Sequence, residues 1–460
     1  GFGAGDGNPD YYRDKLTSEN STNKSTYSVG FALDILPKKL VLNGNASLYR
    51  YDWQREKFNK SYQAQSSATP DNTRQAEAYV QKYNQIQLNG TLTYTDTFAE
   101  KHNLEAMLGT EYFTYDQFDF EAKTQNSPTD DIPTLNAGST RTYTSTTKTA
   151  YRILSGFGRI NYNYDMRYLI SFVARYDGIS KLKDNRWGFF PGVSAAWNVY
   201  REEFMEKYLD IFSNMKLRMG YGQNGNVNGI GLYELQGSYA NAGDYNGVYG
   251  LLINDIAYPG LRWEKTTSFD AAIELGLFNK VDLSAGYFNK KTTDLIADVP
   301  LSASSGVGSM KTNNGAVRSQ GMELEVNYRI FDRKDFKWNV GANITFVKSK
   351  VLKLPDNGNE NNRQGGTEVY KGKGSNETVW RGGTQEGQSY GDIYGFKMTH
   401  VVRDEADLAN YAYYVDKVPS QPVYGPAAYA QLTVEQQRNA QQLAPGDAVW
   451  YDVNGDGIID

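Results

Sequence analysis

The C-terminal end of the chain carries oxygen-bearing side chains at a spacing that could hold a metal ion. Asp452, Asn454, Asp456 and Asp460 occupy positions 1, 3, 5 and 9 of a calcium-type loop, and Gly457 stands where such a loop turns sharply. The same residue types also form tight turns that hold no ion. The run therefore predicts either a calcium site or a simple Asx turn, and calcium is the only cofactor that the sequence suggests.

Side chains for covalent or acid–base catalysis are scarce. The chain has no cysteine and two histidines, His102 and His400, neither of which lies in a recognisable motif. Disulfides and thiolate chemistry are thus excluded, and a histidine-dependent triad or a zinc site would need one of these two residues. Acidic pairs such as Asp404 and Glu405 are interpreted as a solvated surface, because nothing holds them at a glycosidase separation. We expect a protein that is not an enzyme and has no catalytic residues.

Aromatic residues are frequent in the long segments between the patterned runs. Tyr233, Tyr245 and Trp380 are candidate substrate-binding residues, since their flat rings could pack on sugar faces, and the nearby Asp244 and Asn246 could bond to hydroxyl groups. The alternative is that these rings pack within the loops or against a partner protein.

Alternation of apolar and polar residues with period two is the main structural signal. From Phe336 onward, one face of a predicted strand carries apolar side chains and the other carries polar ones. The apolar set is Phe336, Trp338, Ile344 and Phe346, and the polar set is Asn339, Asn343 and Thr345. About twelve such strands are predicted, near 25–35, 39–51, 79–97, 102–118, 149–163, 166–178, 188–200, 215–222, 263–277, 281–294, 319–330 and 336–349. Many reach the roughly 9–11 residues that a membrane strand requires.

The links between these strands alternate between short and long. Short links are expected at 36–39, 97–101, 164–166, 278–280 and 331–335. Long links are expected at 52–78, 119–148, 223–262, 295–318 and after 349. Two links depart from the rule: 201–214 is long for its class and could contain a helical turn, and 179–187 is short for its class. Outer-membrane barrels have short periplasmic turns and long extracellular loops. The pattern predicts an all-β fold, a large antiparallel transmembrane β-barrel, rather than a secreted glycan-binding β-protein.

Composition agrees with long strands and argues against other classes. Tyr occurs 36 times and Gly 45 times against 13 Pro, and no apolar run is long enough for a spanning helix. The net charge of −5 disfavours a nucleic-acid partner. Aromatic residues at strand ends predict girdles at the two membrane interfaces, although Tyr also favours strands in general; they are Tyr49, Tyr51, Trp53, Tyr162, Tyr164, Tyr168, Tyr176, Trp197 and Tyr200. Residues 431–443 predict a short helix with a capping box at Thr433 and Gln436.

Four runs resemble the SusC/RagA family of TonB-dependent outer-membrane transporters from Bacteroidota. They are 175–205, 216–226, 299–329 and 445–460, and the third contains Asn313, Gly315, Val317, Gly321 and Glu323 in an Asn-x-Gly-x-Val-x-x-x-Gly-x-Glu pattern. The resemblance covers the chain from about residue 150 to its end. Before that point the match is in strand pattern only.

The resemblance implies a 22-stranded barrel in the bacterial outer membrane that imports nutrient oligomers, oligosaccharides first and oligopeptides as the alternative. It also implies an internal plug, a SusD-like lipoprotein partner, opening by TonB–ExbB–ExbD, and contact with the lipid bilayer and lipopolysaccharide. Residues 1–460 are expected to be part of the barrel domain with its extracellular loops. Both ends are interpreted as cuts in a longer sequence that would hold the plug, the TonB-contacting segment and the final strands.

Overall fold

The structure is a computed structural model, and it describes residues 13, 15–62, 71–370, 377–393, 395, 397–416 and 422–451. The chain divides into two compact units, residues 1–347 and residues 348–460. The first unit contains most of a large β-sheet, and the second consists of short strands and helices. No helix in the described part of the chain is long and apolar enough to cross a bilayer.

Twelve long strands pair with their sequence neighbours, and every neighbouring pair whose register is described is antiparallel. A separate hairpin, β9 and β10, lies between the eighth and ninth of them. The strands are β1 Leu16–Leu36, β2 Leu40–Asn59, β3 Gln75–Phe98, β4 His102–Gln125, β5 Thr140–Tyr164, β6 Tyr168–Ile179, β7 Trp187–Asn198, β8 Phe212–Asn226, β9 Ser238–Tyr245, β10 Val248–Asp255, β11 Glu264–Leu277, β12 Val281–Pro300, β13 Ser309–Asp332 and β14 Lys337–Lys353. The predicted fold class, all-β with about twelve antiparallel strands, is confirmed.

The second unit is built from short elements around a small core. Its strands are β15 Thr367–Tyr370, β16 Thr378–Arg381, β17 Met398–Val401, β18 Val415–Asp416, β19 Val423–Tyr424, β20 Gln441–Gln442 and β21 Ala448–Trp450, and its helices are α1 Glu405–Leu408, α2 Pro426–Tyr429 and α3 Val434–Arg438. Val402, Leu408, Leu443 and Val449 form the core. The predicted capping box at Thr433 and Gln436 is present and starts α3.

Short turns join the strands at one end of the large sheet, which we call the short-link end. Three of these turns contain two consecutive residues with positive φ, and they are Ala99–Glu100, Asp165–Met166 and Phe278–Asn279. Two left-handed residues in a row make a type I′ turn, whose twist matches that of the strands it joins. The link 201–214, predicted to contain a helical turn, contains the 3₁₀ helix Glu203–Tyr208, and a second 3₁₀ helix, Val199–Arg201, comes directly before it.

At the opposite, long-link end the predicted loops are too long, because the strands continue into them. For example, β2 and β3 remain paired up to Asn59 and Gln75, and β4 and β5 up to Gln125 and Thr140. Polar strand sequences continue the backbone ladder here without the apolar alternation that reveals a strand in a sequence. The predicted loops 52–78 and 119–148 therefore shrink to residues 60–74 and 126–139.

The two faces of the large sheet differ in chemistry, as the period-two pattern predicted. One face, called the apolar face, aligns Leu42, Leu92 and Leu108 across β2, β3 and β4. Large apolar side chains on this face are open to the surroundings; Leu108 is 68% exposed and Phe346 is 64% exposed. The other face, called the polar face, carries charged and hydrogen-bonding side chains. A soluble sheet that exposed one face would place its polar residues there.

Aromatic side chains occur at both ends of the apolar face. Tyr164, Tyr168 and Trp197 form a row at the short-link end, with ring centroids 6.4 and 6.2 Å apart. Tyr176 and Trp187 stack at the long-link end with centroids 5.0 Å apart. Of the predicted girdle residues, Tyr49, Tyr51 and Trp53 are wrong in position: they lie inside β2, which continues to Asn59, and alternate onto the polar face.

Candidate functional site on the polar face

The polar face near the short-link end is a network of charges and amides. Arg159 on β5 donates to Glu105 on β4 at 2.8 Å, and Asn161 donates to the same carboxylate at 3.1 Å. Ser171 on β6 donates to Asn161 at 2.6 Å. Glu105, Asn161 and Ser171 line a concavity of about 580 Å³ together with Arg218 and other polar residues. The lining can exchange hydrogen bonds with hydroxyl or amide groups of a passing solute.

Arg175 is the centre of a second network, farther toward the long-link end. Its Nε donates to Asp177 at 2.7 Å, and its Nη2 donates to Ser155 at 2.9 Å and to Glu111 at 3.3 Å. Ser155 is only 1% exposed. Because the guanidinium satisfies acceptors on three strands, this network fixes the spacing of β4, β5 and β6 as well as the charge of the face.

On β8 and β11 another arginine of the polar face is paired with carboxylates. Arg218 donates to Glu274 at 2.9 Å, and its Nη1 lies 3.8 Å from Asp270. Each arginine named here is thus matched by carboxylates on its own or a neighbouring strand. The polar face is therefore rich in charge but locally neutral, which suits a wetted wall better than a binding site for one strongly charged ligand.

A row of tyrosine rings crosses four strands of the polar face. Tyr51 and Tyr83 stack at 4.6 Å between centroids, Tyr83 and Tyr115 are 5.6 Å apart, and Tyr115 and Tyr151 stack at 5.1 Å. The Lys181 ammonium lies 4.9 Å from the Tyr151 ring and closes one end of the row. Because the ring faces are turned toward one another, the row offers a ligand ring edges and hydroxyl groups rather than flat platforms.

Loop residues cover part of the polar face with an apolar cluster. The cluster is Ile179, Leu182, Phe190, Val227, Ile230, Leu235, Leu261 and Trp263, with Tyr151 and Ile153 of β5 packed against it. The Trp263 indole donates to the Arg186 carbonyl at 3.0 Å, and the Asn185 amide donates to the Leu261 carbonyl at 3.3 Å. The links 180–186 and 227–263 are thus packed into one layer above the short strands β6 and β7.

Two further loops at the long-link end are joined through Asp130. Its carboxylate accepts from the Ser61 backbone N–H at 2.9 Å, from the Ser61 hydroxyl at 2.8 Å and from Arg74 Nε at 2.7 Å. The Ser61 backbone bond, followed by the Ser61 hydroxyl and the Arg74 charge, lowers the pKa of Asp130 to about 2. The ionised carboxylate therefore connects residues 60–74 to residues 126–139.

The predicted substrate-binding residues are divided between the two units, with Tyr233 and Tyr245 in the first and Trp380 in the second. Tyr233 precedes the 3₁₀ helix Glu234–Gln236, is half exposed, and donates to the Lys148 carbonyl at 3.5 Å. Trp380 lies on β16, opposite Glu368, in the second unit and is also about half exposed. Tyr245 ends β9, where its backbone pairs with Val248, and its side chain lies outside the described structure.

The predicted calcium ligands Asp452, Asn454, Asp456 and Asp460 lie outside the described residues. Within the described ranges, no group of three or more histidine or acidic residues is close enough to hold a metal ion. His102 contacts the Tyr162 hydroxyl at 2.8 Å, and His400 lies 3.4 Å from Asp407.

Sequence reasoning missed the arginine networks of the polar face. Arg175 and Asp177 are visible in the sequence as part of the run 175–205, but Glu111 and Ser155 are distant in the chain. The partners follow only from the strand registers, which place Ser155 opposite Asp177 and opposite Glu111. The one available signal was that Glu105 and Glu111 both fall on the polar positions of an alternating strand.

Comparison with known proteins agrees with this architecture. Residues 1–443 match the family model described as "TonB dependent receptor-like, beta-barrel". TonB-dependent receptor P3 of Formosa agariphila is 32% identical over 317 residues, which are 66% of this chain and 30% of that protein. TonB-dependent receptor SusC of Bacteroides thetaiotaomicron is 35% identical over 213 residues, which are 44% of this chain and 21% of that protein.

A solved structure supports the fold independently. The RagAB peptide importer in its "closed-closed" state superimposes with a TM-score of 0.73, covering 97% of this chain and 45% of the importer chain at 21% identity. This chain spans less than half the length of each of these proteins. With a family match over most of the sequence, the chain belongs to the TonB-dependent receptor β-barrel family and is part of a bacterial outer-membrane protein.

Proposed function

We propose that the complete receptor imports nutrient oligomers across the outer membrane in a TonB-dependent manner, with oligosaccharides as the main substrate class. The observation that carries this proposal is the division of the sheet into an apolar face and an ion-paired polar face. A wall with hydrocarbon on one side and water on the other needs this division. The polar face would then line the lumen through which the solute passes.

Oligosaccharides suit the lining because they are neutral and rich in hydroxyl groups. The row Tyr51, Tyr83, Tyr115 and Tyr151 presents phenol hydroxyls, and the pairs Arg159–Glu105 and Arg218–Glu274 present donors and acceptors with little net charge. The similarity to a receptor named SusC agrees with this choice.

Oligopeptide import is the second candidate. The fold similarity to a RagAB peptide importer over nearly the whole chain favours it. Backbone amides would use the same donors and acceptors, and peptide termini would need the arginines and carboxylates to separate from their present partners. Since those pairs are intact at 2.7–2.9 Å, the lining as it stands suits a neutral ligand better.

Uptake by cells that carry the full receptor tests both candidates. Labelled oligosaccharides and labelled oligopeptides should be offered to receptor-deleted and complemented cells, with and without TonB. We expect TonB-dependent uptake of oligosaccharides, reduced several-fold by Tyr115→Phe but not by Tyr112→Phe, which removes the same hydroxyl from the apolar face of β4. Peptide uptake alone would favour the second candidate, and uptake of neither class would overturn the proposal.

We propose also that the long-link end faces the outside of the cell, where a SusD-like lipoprotein would cover the lumen. The asymmetry of the links supports this orientation, since the described turns at the other end are only a few residues long, except for the link 199–211. External protease on intact cells should cut within 223–262 or 350–390 and spare 278–280 and 331–335. Co-purification of a surface lipoprotein with the full receptor, reduced by changes at the long-link end, would support the partner.

Calcium binding at Asp452, Asn454, Asp456 and Asp460 remains a proposal based on ligand spacing. Titration of the full receptor with Ca²⁺ should show one site that Asp456→Ala abolishes and that Mg²⁺ fills far more weakly. If calorimetric titration with Ca²⁺ gives the same heat for the native protein and for Asp456→Ala, these residues form a turn that binds no ion.

A further inference from the structure

The apolar face carries two cations in direct opposition at the long-link end of β12 and β13. Lys291 and Arg318 are cross-strand partners, in a register that is continuous with the apolar pair Tyr287 and Met322. Side chains two residues apart on a strand share a face, so Lys291 and Arg318 lie on the same face as Tyr287 and Met322. That face is the one that exposes apolar side chains.

Neither cation has an ion-pair partner among the described residues. Thr267 is opposite Lys291 on β11, and the next pair of this face toward the short-link end is Asn289 and Gln320, so none of these three neighbours carries a charge. Arg318 Nε is shielded from solvent and has no hydrogen-bond acceptor. Like charges directly opposite each other on neighbouring strands repel, so this pair is destabilising unless an anion lies beside it.

The same level of the apolar face is built differently on the first strands of the sheet. Lys82 on β3 is directly opposite Asp52 on β2, with Nζ 3.9 Å from the carboxylate. Arg152 on β5 donates to Asp116 on β4 at 2.7 Å. In these two pairs each cation has its own carboxylate, whereas Lys291 and Arg318 are paired only with each other.

The position of the pair fits the lipid headgroup level. Lys291 lies ten residues beyond Val281, about 33 Å along the strand and about 25 Å along the membrane normal at a tilt of about 40°. That is about the height of the apolar band of an outer-membrane barrel. With the short-link end in the periplasm, as in the orientation proposed above, the pair would be at the outer leaflet.

We propose that Lys291 and Arg318 form a binding site for the phosphate group of a phosphorylated glycolipid of the outer leaflet. The phosphate would lie between the two cations and accept from Lys291 Nζ and from the Arg318 guanidinium, including the unpaired Nε. The acyl chains would lie below it on the groove of about 890 Å³ that Ala195, Ala271 and Ala285 form among larger apolar side chains. This inference rests on the proposed orientation but not on any transported substrate.

Lipid binding by the full receptor, purified in detergent and stripped of native lipid, tests the site. The probes are lipid A bearing its phosphates, the same lipid A after enzymatic dephosphorylation, and inorganic phosphate. We expect the double variant K291Q/R318Q to bind phosphorylated lipid A at least tenfold more weakly than the native receptor. The control variant K82Q removes a cation at the same level of the apolar face, but one that is paired with Asp52. It should bind phosphorylated lipid A as tightly as the native receptor does.

Several outcomes would decide against the site. Equal binding of dephosphorylated lipid A, or unchanged binding by K291Q/R318Q, would overturn it, and inorganic phosphate binding as tightly as the lipid would point to a free-anion site instead. K291R should keep most of the affinity, which separates lost charge from misfolding. Because the readout is lipid binding in detergent, its failure leaves the import proposal untouched, and failure of import leaves the lipid result standing.

Discussion

Gln87 and Leu88 are neighbours in β3, yet they experience opposite surroundings. Gln87 lies on the polar face and donates to Glu111 at 3.2 Å, whereas Leu88 lies on the apolar face and is 43% exposed. The same contrast between a polar face and an apolar face is repeated on the other long strands of the sheet. In a soluble protein an exposed apolar surface of this extent would promote association. The difference teaches that the two faces are adapted to two solvents, water and hydrocarbon.

The largest expected effect comes from placing a charge on each face in turn. Tyr94 lies on the apolar face near the short-link end of β3, at the level expected for an interface aromatic residue. Leu88 is six residues farther along the strand, about 15 Å into the bilayer and close to its midplane. Leu88→Arg should lower the free energy of unfolding of the full receptor in lipid vesicles by about 2–4 kcal/mol. Gln87→Arg should change it by no more than about 0.5 kcal/mol. Denaturant titration followed by tryptophan fluorescence measures both, and equal losses would break the comparison.

A smaller effect is expected from removing a cation on the polar face. Arg175→Gln leaves Asp177 and Glu111 without their shared partner, and since the arginine is partly exposed, we expect a loss of about 1–2 kcal/mol. Arg329→Gln, which breaks a largely exposed pair with Asp282 at the short-link end, should cost less than about 0.5 kcal/mol. The same denaturant titration measures both losses of unfolding free energy. A larger loss for Arg329→Gln would show that the polar face is not stabilised by its arginine networks.

The smallest effect concerns the loops at the long-link end. The pKa of Asp130 is about 2 in the folded protein against an ordinary value of 3.8, so its contribution to stability is present above pH 3.8 and is lost as the pH falls through about 2. Pepsin should therefore cut within 126–139 much faster at pH 2 than at pH 4. Asp130→Asn should be cut rapidly at both values, and Asp131→Asn should behave like the native protein. Equal cleavage of native protein and Asp130→Asn at pH 4 would contradict the role of this carboxylate.

The sequence was sufficient for features that depend on local pattern. The alternation in β14, the short turns and the α3 capping box all depend on residues within a few positions of one another, and each is present. Strand ends at the long-link side were missed because polar residues continue the pairing there without apolar alternation. Features that need two distant segments could not be predicted, such as the Arg175 network and the packing of Trp263 onto Phe190, 5.3 Å apart.

The predicted aromatic girdle shows why a side chain can be assigned to one face of the sheet only when the strand register is known. Tyr49, Tyr51 and Trp53 have the residue types of an interface girdle, but their partners Gln85, Tyr83 and Gln81 place them on the polar face. Tyr168 and Trp197 have the same residue types and lie on the apolar face. A shift of one residue exchanges the two faces, so composition alone cannot decide between a girdle and a lumen lining.

Cysteine labelling of the full receptor in intact cells tests the two-solvent account most directly, because this chain has no cysteine of its own. Single cysteines should be placed at Trp338 and Phe346 on one face of β14 and at Asn339 and Asn343 on the other, then treated with a membrane-impermeant maleimide. The account predicts labelling at Asn339 and Asn343 and protection at Trp338 and Phe346. Labelling at Trp338 and Phe346 with protection at the two asparagines would contradict it.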